Sequence, residues 1–330
     1  MTAADATETR AWRPALAVLP AGTAVALAAA VAAPWILDAY TISVASYALV
    51  LALLACSAQL LTGVAGLPTL GQAAYLAIGG YTAAIIGRTV TTNGPAQILA
   101  ATLAAAVAAA VIGAVVTRAR ATAFLLISLA VGELTHTAAR LATGVTGGDA
   151  GLSTPAVVVA PGATPLTRDG HIYLWVLGCS GVIIGSLTVL LRSRFGLILR
   201  AAASHEPRVR AAGHPAGRYL WAAYVIAAGV AGAAGALLVA AHRYIAPTDT
   251  TFTVSALALL AAVLAGRTLL GACAGALLIV ATRDLVVPEL VPGHAPALLG
   301  VLFLAAAYAR PLTDRLRHRR RRCRCRGCVG

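Results

Sequence analysis

The chain is a succession of apolar runs separated by short polar breaks: Ala15 to Ala33, Ala39 to Thr62, Gln72 to Val90, Ala96 to Thr117, Thr122 to Thr143, His171 to Leu191, Tyr219 to Ala241, Phe252 to Gly266, Thr268 to Val287 and Ala297 to Tyr308. About 20 apolar residues, coiled at about 1.5 Å per residue, cross the roughly 30 Å hydrocarbon core of a bilayer. Phe252 to Gly266 and Ala297 to Tyr308 are marginal by that measure. With 60% hydrophobic and 11% charged residues, the 330-residue chain lacks the polar surface to cover a soluble globule. The expected fold is all-α, a polytopic transmembrane bundle of about ten helices. It should occupy 15–310, between a disordered polar segment 1–14 and an Arg/Cys-rich tail 311–330. A cleaved leader ending near Val31-Ala32-Ala33 competes with a retained first helix, and the length of the run favours the helix.

Orientation follows from charge. The stretch Arg192 to Arg218 carries six arginines, and basic residues beside span ends stay in the cytoplasm. Arg10, Arg13, Arg118, Arg120 and the tail from Arg310 to Arg326 fall on the same side. Asp38, Asp149, Asp169, Asp249, Asp284 and Glu289 fall on the other, with Arg88, Arg168, Arg243 and Arg283 against the rule. Both termini are therefore expected in the cytoplasm, and the Gly, Pro and Thr-rich stretch 144–170 outside. Within the basic stretch, Ser204 as N-cap, Pro207 in a first turn and Gly213 as a stop predict a short helix from Pro207 to Ala212. Such a helix is either shaped to dock in a partner's groove or a solvated connector.

Several chemistries are excluded. There is no lysine, so the chain can build neither a nucleotide-binding P-loop nor a Schiff base. The net charge of +14 gathers at span ends and in the tail without interleaved aromatics, which fits a lipid surface and not nucleic acid. Cys56, Cys179 and Cys273 lie inside apolar runs as small hydrophobes. Cys323, Cys325 and Cys328 match no zinc spacing and read as reduced thiols, with weak metal binding or acylation as the outside alternative. No catalytic constellation, metal site or cofactor is expected.

Two glycine-rich breaks stand out. Gly63 to Gly71 joins two spans without a single charge, and is either a tight turn or unwound backbone lining a cavity. Ala265 to Gly275 lies in the other half of the chain, as in an internal repeat around a central path. Gly229, Gly232 and Gly235 read as a packing surface for close helix approach. Glu133 is the one acid near mid-membrane, and His136, Thr137 and Arg140 share its helix face. A carboxylate there costs about 2.5 to 3.5 kcal/mol even on the lenient insertion scale. It is therefore either part of a transport path or half of an ion pair with His136 or Arg140. A proton-driven secondary transporter with Glu133 and His136 as relay stays open on these residues alone.

Several stretches resemble the permease subunits of branched-chain amino acid ABC importers. Thr69-Leu70-Gly71-Gln72-Ala73-Ala74-Tyr75-Leu76-Ala77-Ile78-Gly79-Gly80-Tyr81-Thr82 is similar to that family's Ser-Leu-Gly-His-Ala-Ala-Phe-x-x-Ile-Gly-Ala-Tyr. Leu129 to Glu133 resembles its Leu-Gly-x-Gly-Glu, Thr146 to Leu152 its Thr-Gly-Gly-x-x-Gly-Leu, and Ser193-Arg194-Phe195-Gly196 with Arg200, Gly213 and Arg218 its basic loop. The similarity runs from about Tyr47 to Pro311 in one order. It departs at Thr69 and Gln72, which stand for Ser and His, at Leu67, and at Ala265 to Thr268, a shortened Gly-Gly-x-Gly-Ser. The resemblance implies a multi-pass subunit in a prokaryotic plasma membrane that moves amino acids, or urea or amides, by alternating access. It implies a pathway near Thr69, Gly71, Gln72, Tyr75, Gly79 and Glu133. An ATPase-coupling loop would use Arg200, Glu206, Ala211, Ala212 and Gly213. The implied partners are two cytosolic ATP-binding subunits, a second permease or a second copy, and an external substrate-binding protein.

Overall fold

The computed structural model describes residues 30–35, 37–119, 121–159, 166, 168–264 and 268–286. Segment 1–14, all but the end of the first expected span, residues 265–267 of the second break, the Ala297 to Tyr308 span and the Arg/Cys tail lie outside the described residues. The helices are α1 (Ala39–Gln59), α2 (Gln72–Thr89), α3 (Gly94–Val116), α4 (Ala121–Leu141), α5 (Asp169–Arg192), α6 (Arg194–Ala211), α7 (Ala216–His242), α8 (Phe252–Leu264) and α9 (Leu269–Val280). α1 continues into a π-helical turn, Leu60–Ala65, and α9 into another, Ala281–Val286. Two short strands, β1 (Leu152–Ser153) and β2 (Tyr244–Ile245), pair antiparallel. Among the described residues, five helices are long and apolar enough to cross a membrane: α1 with its π turn, α3, α4, α5 and α7.

The apolar runs became these helices because glycine, proline and polar residues punctuate them where the chain must turn. α8 and α9, the latter with its π turn, follow the expected spans Phe252 to Gly266 and Thr268 to Val287 over the described residues. Their α-helical parts, 13 and 12 residues long, rise only about 20 Å each. They lie side by side, with Gly275 so close to α8 that a Cβ there would meet the Ala261 carbonyl oxygen at 2.7 Å. α9 also packs on α1, where the Sγ atoms of Cys56 and Cys273 touch at 3.4 Å.

The centre of the bundle is α1 and α7. In lipid there is no apolar driving force between helices, so close contact depends on small side chains. α7 supplies them: a Cβ on Gly79 of α2 would fall 2.2 Å from the Gly232 carbonyl oxygen, and one on Gly235 2.1 Å from that of Leu76. Gly229 to Gly235 is thus the packing surface expected. Tyr75 of α2, Tyr224 of α7 and Phe124 of α4, all buried, close the centre: the two tyrosine hydroxyls share a 2.6 Å hydrogen bond, and the rings meet edge-on.

The basic stretch folds as an elbow. Ser193 caps α6 by accepting the Phe195 N–H at 3.3 Å. The Arg200 guanidinium donates to the Leu191 carbonyl, an orphan oxygen at the end of α5. α6 is longer than the short helix expected, and its break falls at His205 (φ −153°, ψ 83°) and not at Ser204, whose hydroxyl donates back to the Arg200 carbonyl. Residues 206–211 then form the short arm, with Pro207 in its first turn. The chain leaves it through Gly213 at φ 82°, the left-handed conformation that stops a helix.

Candidate functional site

The first glycine break is unwound backbone held inside the protein. After the π turn, Gly66 takes φ 74° and the Leu67 N–H returns to the Leu61 carbonyl at 2.9 Å. From there to α2 the amides are met largely by side chains, because no helix is present to meet them. Leu70 N–H donates to Ser128 Oγ of α4 at 3.1 Å, Gly71 N–H to Thr69 Oγ1 at 3.3 Å, and Ala73 N–H to Ser255 Oγ of α8 at 3.0 Å. Ser57 of α1 donates to Gln72 Oε1 at 3.0 Å. The Gln72 Nε2 is buried and has no hydrogen-bond partner among the described residues. Such an orphan costs about 1 to 3 kcal/mol.

The expected pathway residues therefore separate into two environments. Thr69, Gln72 and Tyr75 are each about 1% exposed, and Gly79 is pressed on Gly232; all four lie inside the chain's own packing. Gly71 sits against α4, where a Cβ would meet the Ser128 carbonyl oxygen at 2.5 Å. Glu133 lies one residue beyond Gly132, whose own position is 3.6 Å from the Leu70 carbonyl oxygen, measured to a built Cβ. Glu133 itself is on the exposed side of α4. The break and the glutamate thus occupy different faces of one helix.

Neither expected ion pair of Glu133 forms among the described residues. Arg140 instead grips Asp149 with two hydrogen bonds, 2.7 and 3.3 Å, across the turns that follow α4. That guanidinium holds the Asp149 carboxyl below its ordinary range. His136 Nδ1 stands 3.4 Å from Thr250 Oγ1. Ser57 and Ser128 escaped the reading of the sequence; the signal was present as single hydroxyls inside apolar helices, which at membrane depth must find a partner.

At the elbow, the short arm faces a cavity of about 640 Å³ bounded by Gly66, the end of α3 and the start of α7. Glu206 and Arg210 line it and pair at 2.5 Å, with Arg118 and Arg218 in the same wall. Gly66 lies against α6, a Cβ there falling 3.2 Å from that of Ala203. The tip, Ala211, Ala212 and Gly213, is exposed. Arg200 is the residue that ties the elbow to α5.

The sequence profile described as "Branched-chain amino acid transport system / permease component" matches residues 40–307. Two curated relatives are the high-affinity branched-chain amino acid transport system permease protein LivM of Escherichia coli (strain K12) and that of Salmonella typhimurium. Each is 26% identical over 282 residues, covering 78% of this chain and 66% of the relative, so the chain spans just under two thirds of their length. No solved structure matches. With a helical, multi-pass fold and a profile match across most of its length, this chain belongs to the branched-chain amino acid transport permease family.

Proposed function

We propose that the chain is a membrane-spanning subunit of an ATP-driven importer for branched-chain or other hydrophobic amino acids. It works with a second permease or a second copy, two ATP-binding subunits on the cytoplasmic side and an external binding protein. The observation that carries this reading is the elbow. It is stapled to α5 by Arg200, exposed at its tip, and seated directly on the turn at Gly66 that opens the buried break. A chain without lysine cannot carry its own P-loop, so in this reading the ATP hydrolysis belongs to separate subunits. The relatives' names as transport permeases support the same assignment.

The packing supports a route for that work. The motor displaces the short arm at 206–211, α6 presses Gly66, and the break between Gly66 and Gly71 shifts against Ser128 and Gly132 of α4. α4 then reorients its exposed face, which carries Glu133, between the two sides of the membrane. A carboxylate without a partner among the described residues requires one from water, solute or the second permease in this reading, which favours the path role over a pair with His136 or Arg140.

The test is uptake in proteoliposomes. Chain coexpressed with its ATPases should import leucine only with ATP. Replacing Ala211 and Ala212 by arginine should abolish both uptake and ATPase copurification while the unfolding temperature of the chain stays unchanged. Uptake that persists without the ATPases and collapses with an uncoupler would overturn this assignment in favour of a proton-driven carrier.

A further inference from the structure

A second cavity, of about 370 Å³, opens at the end of the bundle opposite the elbow, between α1, α7, α8 and the turns at Pro247–Thr250 and Ala281–Val286. Its floor is aliphatic: Leu54 of α1, Leu238 of α7 and Leu257 of α8 line it and are at most 5% exposed. Its polar lining is of another kind. Asp249 and Arg283 both line the cavity, and the Arg283 guanidinium stands over the Tyr47 ring, 5.9 Å from its centre.

The charges in this lining leave capacity over. Arg283 engages Asp284 through Nε at 3.2 Å, one of the five N–H donors a guanidinium has. Asp249 Oδ2 accepts the Ala246 N–H at 3.0 Å, one of about four acceptor positions on a carboxylate. A cavity with both signs of charge, Thr248, Thr251 and Thr253 beside them and a leucine and valine floor suits a solute that is charged at one end and aliphatic at the other. A bare cation or anion would leave the floor unused, and a hydrocarbon would cover the remaining donors of Arg283 and acceptors of Asp249 without satisfying them. A volume of this size is in the range of small-molecule sites.

We infer that this cavity binds an aliphatic α-amino acid as its zwitterion, with the carboxylate on Arg283, the ammonium on Asp249 and the side chain on the Leu54, Leu238 and Leu257 floor. The inference shares the cargo class of the importer reading but places a binding site inside a single subunit, away from Glu133 and from any motor. Arg283, which runs against the orientation rule for basic residues, thereby acquires a reason to be at this end of the bundle.

The experiment is direct binding to the purified full chain in lipid nanodiscs, read by titration calorimetry with four probes. Leucine should bind. Isoamylamine, which lacks the carboxylate, and 4-methylpentanoate, which lacks the ammonium, should each bind at least tenfold more weakly. Alanine should also be weaker, by about fourfold for each methylene lost. In Arg283→Gln, leucine should lose its advantage over isoamylamine; in Asp249→Asn, which keeps an acceptor for the Ala246 N–H, it should lose its advantage over 4-methylpentanoate. Size-exclusion profiles and unfolding temperatures check that the variants are folded. Absence of leucine binding to folded wild-type chain, equal binding of a half-ligand, or unchanged discrimination in both folded variants overturns the site. ATP-driven uptake measured in parallel keeps the two readings apart, since uptake that survives Arg283→Gln removes this site and leaves the importer standing.

Discussion

α7 and α3 are both unbroken apolar helices, of 27 and 23 residues, and α3 is the more apolar, yet their surroundings are opposite. The most apolar stretch of α7 is 83% buried within the chain, and that of α3 only 22%. α4, which carries Glu133, is buried over just 17%. Apolarity therefore does not decide which helix sits at the centre. Lipid is as apolar as a leucine, and the deciding property is whether backbones can approach. α7 presents Gly229, Gly232 and Gly235 to α2 and α3. α3 turns alanines and Gly113 inward and leaves Leu99, Leu103, Val107 and Val111 outward. A centre built from glycine contacts leaves little room to shift, and in the proposed mechanism α4, the least buried of these helices, carries the motion.

The comparison breaks most sharply at a glycine. Gly235→Leu should prevent folding, because a Cβ alone would overlap the Leu76 carbonyl and no rotamer removes a backbone clash; the cost is about 3 kcal/mol or more. Gly181→Leu on α5, with nothing within 4 Å, should leave the unfolding temperature of the isolated chain unchanged. Equal effects at the two sites would show that α7 holds no special place. One step smaller is Tyr75→Phe, which leaves the buried Tyr224 hydroxyl without its partner. It should destabilise the chain by about 1 to 3 kcal/mol in denaturant titrations, and adding Tyr224→Phe should recover much of that loss.

How much of this was readable beforehand follows the same division. Apolar runs and their glycine and proline limits marked eight helices closely, since length and punctuation are local properties. Which helix is central was not local. The glycine spacing of α7 marked it for close packing, but the helices that pack there are named only by the fold. The site was readable in part for the same reason. The uncharged break at Gly63 to Gly71 and the lone Glu133 were visible as anomalies. Their arrangement on different faces of α4 was not, because it depends on Gly71 reaching Ser128 across 57 residues of chain. Ser204 misled as a cap because a serine hydroxyl can equally bond the carbonyl four residues back, and here it does.

Glu133 sharpens the comparison from the lightly buried side. Since it has no partner among the described residues, Glu133→Gln should leave the unfolding temperature of the chain within experimental error, while uptake by the assembled transporter falls about tenfold, or roughly 1.4 kcal/mol. A stability loss of the size seen for Tyr75→Phe would instead make it a structural pair across an interface.

The smallest effect belongs to the turns after α4. Asp149 is held below its ordinary carboxyl range first by the hydrogen bond from Arg140, so its native pKa is lower than its unfolded one. A lowered pKa means the contribution is complete above the unfolded value of about 3.9 and is lost as the pH falls through the lower native value. Both side chains are exposed, so screening keeps the contribution small and salt should reduce it further. Amide hydrogen exchange at 143–150 should therefore be flat from neutral pH down to about 5, after correction for intrinsic rates, and rise below the ordinary carboxyl range. Asp149→Asn should show the raised exchange at neutral pH. The packed centre around Gly232 should keep its protection throughout, because its described neighbours are Ala101, Ala105 and Gly79, none of which titrates. Acid-induced opening there before the 143–150 turns open would reverse the order of rigidity between centre and periphery on which the proposed motion of α4 depends.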